Sequence, residues 1–211
     1  MIGVAAGLLA VVPALQDDSL EERLASRDYT VKFAAVKEAG ALDSLEAAKG
    51  LVGVACDPGT TFKRYLQMSL RDQAFLGLAR LTDAEAVAWV ASSGLGAAAD
   101  AGPPALRAVL ESLGRLEVAV PTADARRLLG KKWEPETWMA LADLLGGKGE
   151  GEADARALAR CKGAKSKDPL VRAAILEARA ALDQPGTAAD LARALGDRVA
   201  ELRVTALRLQ P

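Results

Sequence analysis

One helical pattern recurs along this chain at intervals of a few tens of residues. The segment from Asp168 to Leu182, DPLVRAAILEARAAL, has a counterpart from Asp28 to Leu42, DYTVKFAAVKEAGAL. In both, an Asp stands three residues before a Val, a base follows that Val, and Ala and Leu recur at helical spacing. Four further segments align with these two: LRDQAFLGLARL from Leu70, ALRAVLESLGRL from Ala105, TWMALADLLGGK from Thr137 and LRVTALRLQ from Leu202. Taking Val31, Leu70, Ala105, Thr137, Val171 and Leu202 as equivalent, the steps are 39, 35, 32, 34 and 31 residues. Apolar or small residues hold the first, fifth, sixth and ninth places, as at Leu70, Ala74, Phe75 and Leu78. That is one face of a 3.6-residue helix. A unit of this length cannot bury its apolar face alone, so neighbouring units must stack.

A shorter helical stretch precedes each of these segments: Ser19 to Ala25, Leu45 to Cys56, Ala84 to Ser92, Ala123 to Leu129, Glu152 to Cys161 and Ala188 to Leu195. Six helix pairs result. Composition agrees: the chain is 51% hydrophobic but only 4% aromatic, and Ile occurs only at Ile2 and Ile175. A core of Ala, Leu and Val favours helices, and small Ala side chains let them approach closely. Ser19 with Glu22, and Thr82 with Glu85, have the spacing of capping boxes. Pro104, Pro135 and Pro169 fall where a second helix should start, and Gly94, Gly130, Gly146 and Gly196 where helices should end in a left-handed residue. No linker divides the array.

The second helices resemble the HEAT-repeat family, whose pattern is roughly Asp, then Val-Arg, then Ala-Ala and Leu-Gly at helical spacing. The likeness is best at Asp28-Val31-Lys32-Ala35-Gly40 and Asp168-Val171-Arg172-Ala174, and weaker at Leu70-Arg71-Ala74 and Leu202-Arg203-Ala206. It is poorest near Thr137, where Trp138 replaces the base. The resemblance implies an all-α, right-handed α-solenoid of about six HEAT-like helix pairs over residues 17–211. The segment from Leu202 is brief, which predicts an incomplete last repeat. In that family Asp and Arg often form a ladder between neighbouring repeats, which implies this structural role for Asp28, Lys32, Asp168 and Arg172.

Residues 1–16, MIGVAAGLLAVVPALQ, precede the acidic pair Asp17 and Asp18. The uncharged run from Ile2 to Val12 has signal-peptide length and is too short to span a bilayer. Val12-Pro13-Ala14 offers small residues for cleavage, although no Lys or Arg precedes the run. Residues 1–16 are therefore expected to be a signal peptide, and the chain exported to a periplasmic or extracellular site. The competing expectation is a buried first helix in a cytoplasmic protein.

The chain has no His, which removes Ser-His-Asp and Cys-His sites, His-bearing metal sites and the His-Glu centres of HEAT-like hydroxylases. No cofactor is expected. Cys56 and Cys161 lack a CxxC partner, lie three repeats apart, and are expected to be unpaired. With helices ~8–10 Å apart their separation is roughly 25–30 Å, against the about 7 Å that a disulfide allows. Gly94-Leu95-Gly96-Ala97-Ala98-Ala99 matches a dinucleotide fingerprint in letters, but no strand precedes it, and it is read as an inter-repeat loop.

Two clusters keep other functions open. Glu134 and Glu136 flank Trp133 and Trp138, a combination that a carboxylate-based enzyme would use. Arg156, Arg160, Lys162, Lys165, Lys167 and Arg172 form a basic concentration. Their alternative is a HEAT-like nucleic-acid-binding protein or DNA glycosylase, disfavoured by a net charge of −1 and the lack of a basic stripe over the other repeats. HEAT-like arrays usually scaffold protein complexes, so the leading expectation is a non-enzymatic adaptor for a protein or peptide. Lys37, Glu111, Asp143 and Glu177, all at the seventh place of the aligned helices, are its expected partner-binding positions.

Overall fold

The close spacing that an Ala- and Leu-rich chain permits is realised in an all-helical structure. The computed structural model describes residues 18–58, 63–182 and 187–210, and among these there is no strand. The first-helix positions carry α1 (Leu20–Ala25), α3 (Leu45–Cys56), α5 (Ala84–Trp89) continuing into α6 (Leu95–Ala101), α8 (Ala123–Leu128), α10 (Glu152–Arg160) and α12 (Thr187–Leu195). The second-helix positions carry α2 (Tyr29–Ala39), α4 (Arg64–Leu78), α7 (Pro103–Arg115), α9 (Pro135–Lys148), α11 (Pro169–Ala181) and α13 (Ala200–Arg208). The segment expected to be a signal peptide lies outside the described residues. No helix among the described residues is long and apolar enough to cross a membrane.

Local chemistry sets most helix starts. Ser19 and Glu22 form the reciprocal capping box. Pro135 and Pro169 open α9 and α11, and Pro103 with Pro104 opens α7. The expected box at Thr82 and Glu85 is corrected: Asp83 caps α5 by accepting from the Ala86 N–H. Thr82 instead donates its backbone N–H and its hydroxyl to Asp43, tying the start of α5 to the turn before α3.

The glycine expectation holds in part: Gly130 and Gly196 follow the ends of α8 and α12, whereas Gly94 and Gly146 lie inside helical segments, and none of the four is left-handed. Among the described residues only Gly102 (φ 110°) and Gly151 (φ 62°) are left-handed. Gly94 and its GLGAAA segment lie inside one continuous helical run from Ala84 to Ala101, not in a loop. A π-helical turn, Val90–Gly94, joins α5 to α6. There the Ser92 hydroxyl donates to the carbonyls of Ala88 and Trp89, which loosens the regular ladder, and Gly94 packs against Trp89 and Val52.

Each first helix packs against its second helix, and the second helices pack in sequence order: α2 on α4, α4 on α7, α7 on α9, α9 on α11, and α11 on α13. Ala35, Leu70, Ala74, Val109, Leu110, Leu141, Leu145 and Val171 are wholly buried between them, at the places the repeat assigns to the core. Two crossings need residues without bulk. An ideal Cβ on Gly77 would stand 2.7 Å from the Gly40 Cα, and one on Gly146 would stand 2.7 Å from the Ala178 Cα. The core is one cluster from Leu24 to Ala178, with a small separate cluster of Leu176, Ala194 and Ala206 at the last pair.

Gly77→Val forces α2 and α4 apart and should cost about 1–3 kcal/mol. Gly53→Val, with open space around its added Cβ, tests the argument by comparison. Equal urea midpoints for the two variants would show that the Gly40–Gly77 crossing does not set the spacing.

Candidate functional site

The seventh place of each second helix is exposed, so these positions define a face. Lys37, Glu111, Asp143 and Glu177 are all exposed. Leu76 and Arg208 occupy the same register and are exposed as well. Between successive second helices this face is furrowed. Lys37 and Leu76 border a cavity of about 100 Å³ between α2 and α4. A cavity of about 650 Å³ between α4 and α7 includes Glu111, and one of about 260 Å³ between α7 and α9 joins Glu111 to Asp143. Asp143 and Glu177 share the last, about 550 Å³, between α9, α11 and α13. All four expected partner-binding residues thus lie on the borders of these furrows.

The furrows differ in charge. Arg64, Arg71, Arg107 and Arg115 surround the α4–α7 groove against Asp72 and Glu111, with Met68 and Phe75 as its apolar surface. Arg115 stands over the Phe75 ring, 4.6 Å from its centroid, a cation–π contact that fixes the guanidinium. Arg107 approaches Glu111 only to 3.8 Å in an exposed pair, which holds neither side chain firmly. The α9–α11–α13 groove has the opposite balance, with Asp143, Glu177 and Glu201 against Arg208 around Met139, Leu170 and Val204. Although Asp143 is exposed, partial loss of hydration at the groove wall pushes its carboxyl above the ordinary range.

Beneath this face the bases of the repeat do structural work. Lys32 is buried and its Nζ lies 3.0 Å from Asp57 Oδ2, just past the end of α3. Arg71 donates to the carbonyls of Ala55 and Asp57 at that helix end. The same arrangement recurs 25 residues beyond Arg172, whose guanidinium lies 3.4 Å from Asp197 Oδ2. There Arg203 donates to the carbonyls of Asp197 and Arg198. Asp28 and Asp168, the acids that the resemblance placed in the ladder, cap their own helices by accepting from Thr30, Val31 and Leu170 N–H groups. The cross-helix acids are therefore Asp57 and Asp197. Their signal in the sequence is an Asp 25 residues after the base in both repeats.

The middle repeats, which lack that base, use another device. Asp154 is fully buried. Its carboxylate accepts from Thr122 Oγ1 at 2.8 Å, from the Glu150 N–H at 2.7 Å and from Arg126 Nε. Burial would raise its pKa, but the Arg126 guanidinium and the other two donors overcome that and hold it below the usual range. The similar segments TADARRLL and EADARALA do not distinguish Asp154 from Asp124, which pairs at the surface with Arg127.

The other candidates are placed as follows. Trp138 is buried, Trp133 is half-buried with its indole N–H donating to the Leu128 carbonyl, and Glu134 and Glu136 are exposed. Cys161 is buried and Cys56 half-buried; both are free, and burial pushes both thiols up. Arg160, Lys162, Lys165 and Lys167 are exposed, Arg156 pairs with Glu152, and Arg172 turns inward to Asp197. Among the described residues no group of three or more Cys, Asp or Glu is arranged to hold a metal ion.

Asp154→Ala unpairs the 30% exposed Arg126 and leaves the Thr122 hydroxyl and the Glu150 N–H without their acceptor, and should cost about 1–3 kcal/mol at neutral pH by urea denaturation. Asp124→Ala should cost less than about 1 kcal/mol. Because the native pKa of Asp154 is lowered, its stabilisation is complete above the ordinary value of about 3.9 and is lost as pH falls through the native one. The gap between wild type and Asp154→Ala should therefore close only in acid, and a gap that closes near neutral pH would contradict this assignment.

A scan of family models, a search of curated proteins and a search of solved structures each found no match to this chain.

Proposed function

We propose that this chain is a right-handed α-solenoid of about six HEAT-like helix pairs that acts as a non-enzymatic scaffold for a protein or peptide partner. The observation that carries this reading is the row of furrows between successive second helices, bordered by Lys37, Glu111, Asp143 and Glu177. Stacked helix pairs present a long surface of this kind, and exposed Met68, Leu170 and Val204 supply apolar contact area along it. The buried Trp138 and the exposed Glu134 and Glu136 give no support to a carboxylate site beside an aromatic wall. Export through residues 1–16 is part of the proposal and rests on the apolar run alone.

Crosslinking the chain in its own compartment, followed by pulldown and mass spectrometry, should recover a protein partner. Reversing charge at Lys37, Glu111, Asp143 and Glu177 together should abolish that capture while leaving the helical circular-dichroism signal intact. A partner retained by this fourfold variant, or crosslinked only to the first-helix side, would overturn the assignment of the face.

A further inference from the structure

We propose that the groove between α4 and α7 is the seat of a short acidic peptide segment carrying an apolar residue, a refinement that rests on the scaffold reading above. Four guanidiniums border this groove, and the two carboxylates beside them leave an excess of positive charge. They are not equivalent. Arg71 is committed to the carbonyls at the end of α3, and Arg115 is held over Phe75. Arg64 has no ion-pair partner among the described residues, and Arg107 has only the long exposed contact with Glu111. Two exposed cations without a firm partner therefore stand at the rim, one on each helix. Between them lie Met68, 54% exposed, and Phe75, half-buried with Arg115 over its ring, as the apolar part of the groove.

This combination selects among anions. Arg matches a carboxylate in planar, two-bond geometry, so Arg64 and Arg107 can each clamp one acidic side chain. Met and Phe adapt to an aliphatic or aromatic side chain between those clamps. Gln67 at the groove wall is buried and donates Nε2 to the Asp57 carbonyl, which leaves ligand recognition to the arginines and the apolar side chains. A polynucleotide fits less well. It needs a continuous run of positive charge, whereas the face turns acidic at Asp143, Glu177 and Glu201. A short segment satisfies the groove without extending onto that repulsive stretch.

The test uses the full chain and a fluorescein-labelled peptide of four Glu-Glu-Leu repeats, read by fluorescence anisotropy. Saturable binding is expected, weakening as salt rises from about 50 to about 200 mM. The Lys-Lys-Leu and Gln-Gln-Leu counterparts should not bind. Arg64→Glu with Arg107→Glu should weaken the acidic peptide by about tenfold or more, while Glu134→Lys with Glu136→Lys, exposed and away from every furrow, should not weaken it. Thermal melts of both variants check that each is folded, since all four side chains are exposed. Undiminished binding by the Arg variant, absence of binding to the acidic peptide, or tighter binding of oligothymidylate of equal charge would each overturn the proposal. The pulldown separates the two readings. A natural partner lost from the fourfold face variant but kept by the Arg variant sinks this inference and leaves the scaffold standing.

Discussion

The exposed face exists because the second helices approach one another closely enough to form a row. That closeness depends on residues with almost nothing to contribute as side chains. At Gly40–Gly77 and Gly146–Ala178 the backbones meet where an added methyl would collide with a neighbouring Cα. Around these crossings Ala35, Ala74 and Ala142 are wholly buried, so the row is close-packed with few aromatic rings. A bulkier core would hold the helices farther apart and change the depth of every furrow between them. Both close pairs lie near the ends of their helices, whereas Arg64, Met68, Met139 and Leu170 in the α4–α7 and α9–α11–α13 grooves come from the beginnings.

Much of this was readable in the sequence because helical periodicity reports burial directly. Leu45 to Cys56 coincides with α3 residue for residue, and the fifth place of every aligned segment is buried, although the sixth is half-buried at Phe75 and exposed at Leu207. Glycine was the unreliable guide. Gly94 and Gly146 look like helix stops in one dimension, but both lie within helical segments and serve packing, which depends on a neighbour distant in sequence. The same limitation hid Asp57, Asp197 and Asp154. An Asp at a helix start has a local role that spacing predicts, whereas an Asp that receives a base from another helix is recognisable only once the helices are placed.

The surface shows the limit of periodicity from the other side. The seventh place identified Lys37, Glu111, Asp143 and Glu177 as exposed, because it lies off the apolar stripe that each second helix buries. It did not reveal that Arg64, Arg71, Arg107 and Arg115 share a groove, because those four come from two helices and several register positions. Charge counted along the chain averages this clustering away. The net charge of −1 is compatible with a basic groove and an acidic groove on one face, separated by the furrow between α7 and α9.

The division of the apolar core into one large cluster and one small one also bears on the face. The last helix pair is held by Leu176, Ala194 and Ala206, with Leu191, Leu195 and Leu209 partly buried around them. An apolar cluster this small contributes less to closing the pair than the main cluster does elsewhere, and the Arg172–Asp197 and Arg179–Asp190 ion pairs carry part of its attachment, so it can separate without global unfolding. Yet α13 supplies Ala200, Val204, Thr205 and Arg208 to the wall of the acidic groove. Whatever occupies that groove must therefore also hold the pair closed, so occupancy and local folding there are thermodynamically linked. The same tether is absent from the α4–α7 groove, whose walls belong to the main cluster, so the two ends of one surface would answer a ligand with different stiffness.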